Sequence, residues 1–71
     1  DRLRALRKRL ADAQGVPPYI VFGDATLAQM ARDKPLDADA LLGVVGVGQH
    51  KLEKYGADFL DAIAEHSLES G

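Results

Sequence analysis

The chain has 71 residues, a length that allows a single domain. It contains no cysteine, which excludes disulfides and thiolate metal sites and is compatible with a reducing compartment. We therefore expect a cytoplasmic location, in a bacterium the cytoplasm or nucleoid. No apolar run approaches the ~18 residues that cross a membrane, and a hydrophobic content of 46% beside 28% charged residues is typical of a globular domain.

The net charge of -2 conceals an uneven distribution of charged residues along the chain. Residues 1–10 hold five basic side chains and one acidic one, whereas residues 57–71 hold four acidic side chains and no lysine or arginine. Opposite poles of this kind indicate two separate surfaces, one suited to phosphate groups and one suited to a basic partner. Because the chain begins at Asp1 rather than at a methionine, we expect it to be a piece of a larger protein.

The first predicted element is an amphipathic helix over residues 2–14, with Gly15 as its natural stop. The apolar residues that recur at three- and four-residue spacing are Leu3, Leu6, Leu10 and Ala13. The basic side chains occupy the other faces of this helix. They form either a solvated surface or a surface for phosphate.

The segment VPPYIVF at residues 16–22 follows as a connector. Its two prolines argue against a regular helix, so we expect an ordered, packed connector with one 3₁₀ turn that places Ile20 or Phe22 in the core. Tyr19 has two interpretations. Its ring lies in the core with the hydroxyl in water, or the ring is exposed and stacks on an unpaired base.

Asp24 is a suitable N-cap for a helix that extends through Arg32. Leu27, Met30 and Ala31 form the buried stripe predicted for this helix. A methionine at this spacing indicates core packing rather than a cofactor site.

Asp37 is predicted to cap a third, short helix, with Leu36 and Leu41 packed together as a hydrophobic staple. Asp39 lies in the first turn, where a negative charge suits the helix dipole. Adjacent helical turns do not aim Asp37 and Asp39 at a common point, so a catalytic carboxylate pair is not predicted.

The stretch LLGVVGVGQHKL at residues 41–52 is the most informative in the chain. Gly46 and Gly48 predict a tight turn between two helices, and the second helix begins at once with His50 and Lys51. The first amides of a helix have no partner within it, so this helix start is a candidate phosphate site of the helix-hairpin-helix kind. The alternative is a glycine-rich corner that only reverses the chain.

Gly56 is predicted to interrupt the helix that follows the turn, and residues 57–69 then form the last helix. No basic residue lies three or four positions from its acidic side chains. This acidic face is either a solvated surface or a docking surface for a basic partner. Its members are Asp58, Asp61, Glu65 and Glu69.

Catalytic and cofactor-binding motifs are not found in the sequence. Gly43 and Gly48 have the spacing of a phosphate-binding loop, but Gln49 and His50 stand where lysine and a hydroxyl residue are needed. There is no recognisable Ser/His/Asp set, no metal-ligand pattern and no run that predicts a strand. We therefore expect an all-α domain that is not an enzyme and that has no cofactor and no metal.

Two motifs, PPY-x-VF at residues 17–22 and GVG-x-x-KLE-x-YG at residues 46–56, together resemble the HRDC domain of RecQ-type DNA helicases. The resemblance extends from Leu3 to about His66. It implies a compact bundle of about five short helices, forming one domain over residues 1–71. It also implies an accessory module of an ATP-dependent helicase of DNA repair and recombination or, as a second choice, of an RNase D-type exoribonuclease.

Such a module binds single-stranded or branched DNA weakly and tunes which structures the motor engages. By motif, the resemblance implies DNA contacts by Tyr19 and Lys51, next to the Gly46 and Gly48 turn. On charge and position we add Arg4, Arg7, Lys8 and His50. The acidic balance leaves an alternative open, a monomeric protein-interaction module whose acidic face docks on another domain of the parent helicase.

Overall fold

The computed structural model describes the backbone of residues 2–70 and the side chains of residues 2–65. Within these residues the protein is all-α, as predicted, with five helices and no strand. The helices are α1 (Arg2–Gln14), α2 (Pro18–Val21), α3 (Asp24–Asp33), α4 (Ala38–Leu42) and α5 (Gln49–Ser70).

Helix α1 has the predicted bounds, and its apolar face is turned slightly from the predicted one. Leu3, Leu6 and Ala11 are buried, whereas Ala13 is exposed. Gly15 ends the helix with a φ of 69°, a backbone conformation that glycine adopts without a steric penalty.

The connector contains one turn of α-helix, so the prediction that its prolines prevent a regular helix was wrong. Pro18 is the first residue of α2, where its missing N–H would have had no partner in any case. Phe22 is fully buried, as predicted, together with Val21, while Ile20 remains 43% exposed.

Helix α3 begins after Gly23 rather than after Asp24, which corrects the predicted cap. Asp24 is the first helical residue, and its carboxylate accepts a hydrogen bond from Arg7 on α1 instead of capping the helix. Thr26 is buried on the inner face, whereas Ala31, predicted to be buried, is exposed.

Helix α4 has the predicted cap, because the Asp37 carboxylate accepts a hydrogen bond from the Ala40 amide at 2.8 Å. Leu41 is fully buried in the core. Leu36 is 65% exposed, which does not support the predicted staple between Leu36 and Leu41.

Helix α5 is continuous, so the predicted break at Gly56 was wrong. Gly56 is buried, and a Cβ atom there would lie 2.9 Å from Cδ1 of Leu52 and 3.9 Å from Cδ2 of Leu41. The missing side chain therefore leaves room for the Leu52 side chain one turn earlier in α5, whereas Leu41 of α4 lies at an ordinary contact distance. Five helices were predicted, and five are observed in the part of the chain that the structure describes. Helix α2 was not predicted, and the two helices predicted on either side of Gly56 form the single helix α5.

Phe22 lies at the centre of the core and joins the α2–α3 junction to α5. Its ring meets the Phe59 ring edge-on at a centroid distance of 4.9 Å and the Tyr55 ring at 5.9 Å. Tyr55 also donates its hydroxyl hydrogen to Oε1 of Gln14 at 2.8 Å, which ties α5 to the end of α1. These contacts fix the residue that follows α2 against Tyr55 and Phe59 of α5.

Candidate nucleic-acid interface

The glycine corner between α4 and α5 is held in place by two side chains of α3. The Thr26 hydroxyl donates to the Val45 carbonyl at 2.9 Å, and Oε1 of Gln29 accepts from the Val45 amide at 3.1 Å. Gly46 has a φ of 92°, and a Cβ atom there would overlap with Oγ1 of Thr26. The sequence therefore needs glycine at position 46 both for the turn and for the close approach to α3.

The outer side of this corner is open to solvent. Val45 is 76% exposed, Gly46 and Gly48 are exposed, and a Cβ atom at Gly48 would meet no neighbour within 4 Å. The Gly48 carbonyl accepts the first helical hydrogen bond of α5, from the Leu52 amide. In the part of the chain that the structure describes, the amides of residues 49–51 have no hydrogen-bond acceptor, as expected for a first helical turn.

Lys51 lies in this first turn, next to the exposed His50. Its ammonium nitrogen is 5.7 Å from the centroid of the Phe22 ring, and the side chain is half-buried. A cation in this position is held by the electrons of the ring face. Lys54 makes a similar contact one turn later, 5.4 Å from the Tyr55 ring centroid.

Tyr19 lies on α2 and is 65% exposed, so the interpretation that its ring lies in the core was wrong. It precedes Phe22 by three residues, which is close to one helical turn. Phe22 thus connects the two motif residues, because it directly follows the helix of Tyr19 as its extended C-cap residue and its ring contacts the cation of Lys51.

Arg7 and Lys8 of α1 are engaged within the protein. Arg7 is only 12% exposed and donates to the Phe22 carbonyl at 3.1 Å and to the Asp24 carboxylate at 2.7 Å. The hydrogen bond from Arg7, and then its charge, hold the pKa of Asp24 below its usual range. Lys8 donates to Asp12 at 2.8 Å, and this hydrogen bond raises the pKa of Lys8.

Arg4 is exposed, and its charge adds to the lowering of the Asp24 pKa. Arg4 precedes Arg7 by three residues and so lies on the same side of α1. Unlike Arg7, it has a side chain that solvent reaches.

The acidic face of α5 borders α1, so the predicted separation into two charged poles was wrong. A groove of about 330 Å³ between the two helices has both signs of charge on its walls. Glu65 accepts from Arg2 across this groove at 3.2 Å, while Asp58 and Asp61 are exposed. The predicted acidic residue Glu69 lies outside the described side chains. The groove is lined by Arg2, Ala5, Leu6, Arg9, Asp58, Asp61, Ala62 and Glu65.

A model of the HRDC domain matches residues 1–63. The chain belongs to the HRDC domain family. Among its relatives, the ATP-dependent DNA helicase RecQ of Haemophilus influenzae is 51% identical over 65 residues, and that of Bacillus subtilis is 46% identical over 67 residues. These alignments cover 92% and 94% of this chain but 10% and 11% of the helicases, so the chain spans about a tenth of their length.

The HRDC fold is supported by a solved structure as well. HRDC domain 3 of the D. radiodurans RecQ protein matches with a TM-score of 0.87 and 36% identity, covering 99% of this chain and 90% of that one. A second kind of helicase also contains a similar segment, since UvrD2 of Mycobacterium tuberculosis is 42% identical over 62 residues. These cover 87% of this chain and 9% of UvrD2. Within the described residues, no helix of the domain is both long enough and apolar enough to cross a membrane.

Sequence reasoning missed three residues that shape the HRDC surface. Thr26 and Gln29 hold the glycine corner, and no local pattern announces a contact between elements that are distant in sequence. Arg9 lines the groove beside Arg2, and their seven-residue separation, two helical turns, was a signal that could have placed both on one face.

Proposed function

We propose that this HRDC domain is a DNA-binding accessory module of a RecQ-type DNA helicase. It binds single-stranded or branched DNA weakly and biases which DNA structures the motor engages. The names of the relatives support a helicase parent over an exoribonuclease parent, since those described above are DNA helicases. In such a parent, ATP hydrolysis belongs to the motor, and the HRDC domain contributes binding.

One observation supports the location of the contact above all others. The exposed aromatic Tyr19 lies on the helical turn that Phe22 ends, the cation of Lys51 contacts the buried ring of Phe22, and the open start of α5 includes Lys51. A base that stacks on an exposed tyrosine gains about 1–3 kcal/mol. The phosphate of the same strand meets Lys51 and the amides of the first turn of α5.

The small number of contacts sets the expected affinity. One lysine and one helix start neutralise one or two phosphates, and each neutralised phosphate of a single strand adds roughly 0.7 to the slope of log affinity against log salt. Binding by the isolated domain is therefore weak and falls with salt. Binding becomes stronger only when a motor domain holds the same DNA, because this raises the effective concentration of DNA at the HRDC domain.

The test is a titration of labelled single-stranded, forked and blunt duplex DNA with the domain at two salt concentrations, followed by fluorescence anisotropy. We expect measurable binding to single-stranded and forked DNA at low salt, weaker binding to the duplex, and a loss of affinity at the higher salt. Absence of binding to every DNA at low salt would reject a DNA-binding role.

A second candidate function is supported by Asp58 and Asp61. Both are exposed, and neither has an ion-pair partner among the described residues, whereas Glu65 is paired with Arg2. Two unpaired carboxylates one helical turn apart suit a basic surface on another domain of the parent helicase.

The second function is tested in the parent helicase with Asp58→Asn combined with Asp61→Asn. We expect an altered preference among DNA substrates and an unchanged affinity of the isolated domain for DNA. Glu53→Gln, an exposed acidic residue nearer the start of α5, is the matched control. If the unmodified helicase, the double variant and the Glu53→Gln control unwind every DNA substrate equally well, the acidic face is only a solvated surface.

A further inference from the structure

Arg7 differs from the other basic residues of α1 because its guanidinium is almost enclosed. The other four described cations of this helix are exposed, whereas the Arg7 side chain is 12% exposed. Its Nη1 donates to both the Phe22 carbonyl and the Asp24 carboxylate, and its buried Nε has no partner among the described residues. A guanidinium enclosed in this way is poorly placed to reach a DNA phosphate.

The acceptor of Arg7 lies at the end of the helix that bears Tyr19. Phe22 is the C-cap of α2, and it is held from two directions. Its ring packs edge-on against Phe59 of α5, and its carbonyl accepts the Arg7 hydrogen bond at 3.1 Å. Loss of Arg7 would leave this carbonyl without its donor and release one of the two anchors.

Helix α2 depends on such anchors because it has only four residues. A single turn of helix is unstable on its own, and the N-cap Pro17 makes no side-chain capping hydrogen bond. The orientation of α2 is therefore determined by the packing of Val21 and Phe22, both fully buried. Tyr19, which is 65% exposed, follows the orientation of this turn.

We propose that Arg7 is a positioning residue for the DNA contact, and that its hydrogen bond to the Phe22 carbonyl holds α2 so that Tyr19 faces the bound strand. This inference rests on the proposed contact between Tyr19 and a base. It removes Arg7 from the set of phosphate ligands predicted from charge.

A double-mutant cycle with Arg7→Lys and Tyr19→Ala tests the proposal. Lysine retains the positive charge, but its ammonium nitrogen lies one bond closer to Cα than Nη1 of Arg7, the atom that donates to both acceptors. We expect Arg7→Lys to weaken binding of an oligothymidylate about fivefold, the lower end of a base-stacking contribution, with an unchanged salt slope. In the Tyr19→Ala background the same substitution changes nothing further, since the ring that Arg7 positions is already absent.

A structural measurement accompanies the binding data. In ¹H–¹⁵N NMR spectra of the free domain, Arg7→Lys is expected to shift the amide resonances of residues 19–22. Asp24→Asn, which removes the negative charge of the other acceptor and leaves the Phe22 hydrogen bond intact, is expected to shift them less and to leave DNA affinity unchanged. This second variant keeps the test decisive if Arg7→Lys does not fold.

Three results would overturn the proposal. The first is an equal loss of affinity from Arg7→Lys in both backgrounds, and the second is a reduced salt slope in Arg7→Lys. The third is an Asp24→Asn variant that disturbs the amides of residues 19–22 and DNA binding as strongly as Arg7→Lys. Failure of the proposed DNA contact is a different outcome. In that case Tyr19→Ala binds DNA as strongly as the unsubstituted domain does. The amide shifts still report whether Arg7 orients α2.

Discussion

The ammonium nitrogen of Lys51 lies 5.7 Å from the centroid of the Phe22 ring, so a cation at the start of α5 is linked directly to the residue that ends α2. The exposed Tyr19 lies on that same α2 turn. Tyr19 and Lys51, which are 32 positions apart in sequence, are therefore both linked to Phe22, Tyr19 through the chain and Lys51 through the ring. The predictions below follow from this arrangement and from the contacts that support it.

Lys51→Ala is expected to weaken binding of single-stranded DNA and to lower the salt slope by roughly 0.7, because one phosphate contact is lost. The free energy of unfolding should fall by less than about 1 kcal/mol, the value of an exposed cation–π contact. Lys8→Gln removes the same charge from a lysine already paired with Asp12, and serves as the matched control. Equal effects of both variants on DNA binding would show that only net charge matters.

The two glycines of the corner are expected to respond differently to alanine. Gly46→Ala should lower the free energy of unfolding by about 2–3 kcal/mol, through the positive φ, the overlap with Thr26 and the lost hydrogen bond to Val45. Gly48→Ala, where the new methyl group meets open space, should lower it by less than about 1 kcal/mol. Urea denaturation followed by circular dichroism measures both values, and similar losses at the two positions would contradict this account of the corner.

The same Gly48→Ala variant also addresses the contact with DNA. A methyl group on the open side of the corner should hinder the approach of a phosphate to the first amides of α5, so affinity falls although the fold is retained. Anisotropy titration with single-stranded DNA gives the affinity. An unchanged value would show that the strand does not approach this backbone.

Tyr55→Phe is expected to lower the free energy of unfolding by about 1 kcal/mol, because it removes the hydrogen bond to Gln14 and retains the ring contacts with Phe22. Tyr19→Phe, in which the lost hydroxyl belongs to an exposed ring, should change neither stability nor DNA binding. Thermal denaturation of the two variants side by side gives the comparison. A larger loss in Tyr19→Phe would contradict the assigned environments.

The ion pair between Arg7 and Asp24 predicts a pH dependence with a definite sign. The pKa of Asp24 is lower in the folded protein, so this pair stabilises the fold above the unfolded pKa of about 3.9 and stops doing so as the pH falls through the folded value. A carboxyl ¹³C NMR titration should therefore give a low midpoint for Asp24. The midpoint should rise strongly in Arg7→Gln and only slightly in Arg4→Gln. Equal Asp24 midpoints in the unsubstituted domain and in Arg7→Gln would disprove the coupling between Arg7 and Asp24.

The helical class and the short capped helix could be predicted because they depend on local signals. Gly15 ends α1 and Asp37 caps α4, and each of these follows from residues within one turn. Gly56 shows the limit of such reasoning. The helix continues through Gly56, and Tyr55 and Phe59 on either side of it pack against the distant Phe22, a contact about which spacing within one helix contains no information.

The candidate site shows the same division between local and distant contacts. The motifs identified Tyr19 and Lys51, whereas charge and position in the sequence added Arg7. Whether an arginine is exposed depends on the acceptors that the fold places around it, here a carbonyl 15 residues away and a carboxylate 17 residues away. The prediction of two separate charged poles was wrong for a similar reason. Arg2 and Glu65 are 63 positions apart in sequence, yet the fold brings them together as an ion pair.

The most direct test of the proposed surface is a ¹H–¹⁵N NMR titration of the domain with a short single-stranded oligonucleotide. We predict that the largest shifts occur at Tyr19 and over residues 46–51, with small shifts at Asp58 and Asp61. Shifts confined to the exposed cations of α1, with Tyr19 and the glycine corner unchanged, would contradict the central claim that a strand is bound beside Phe22.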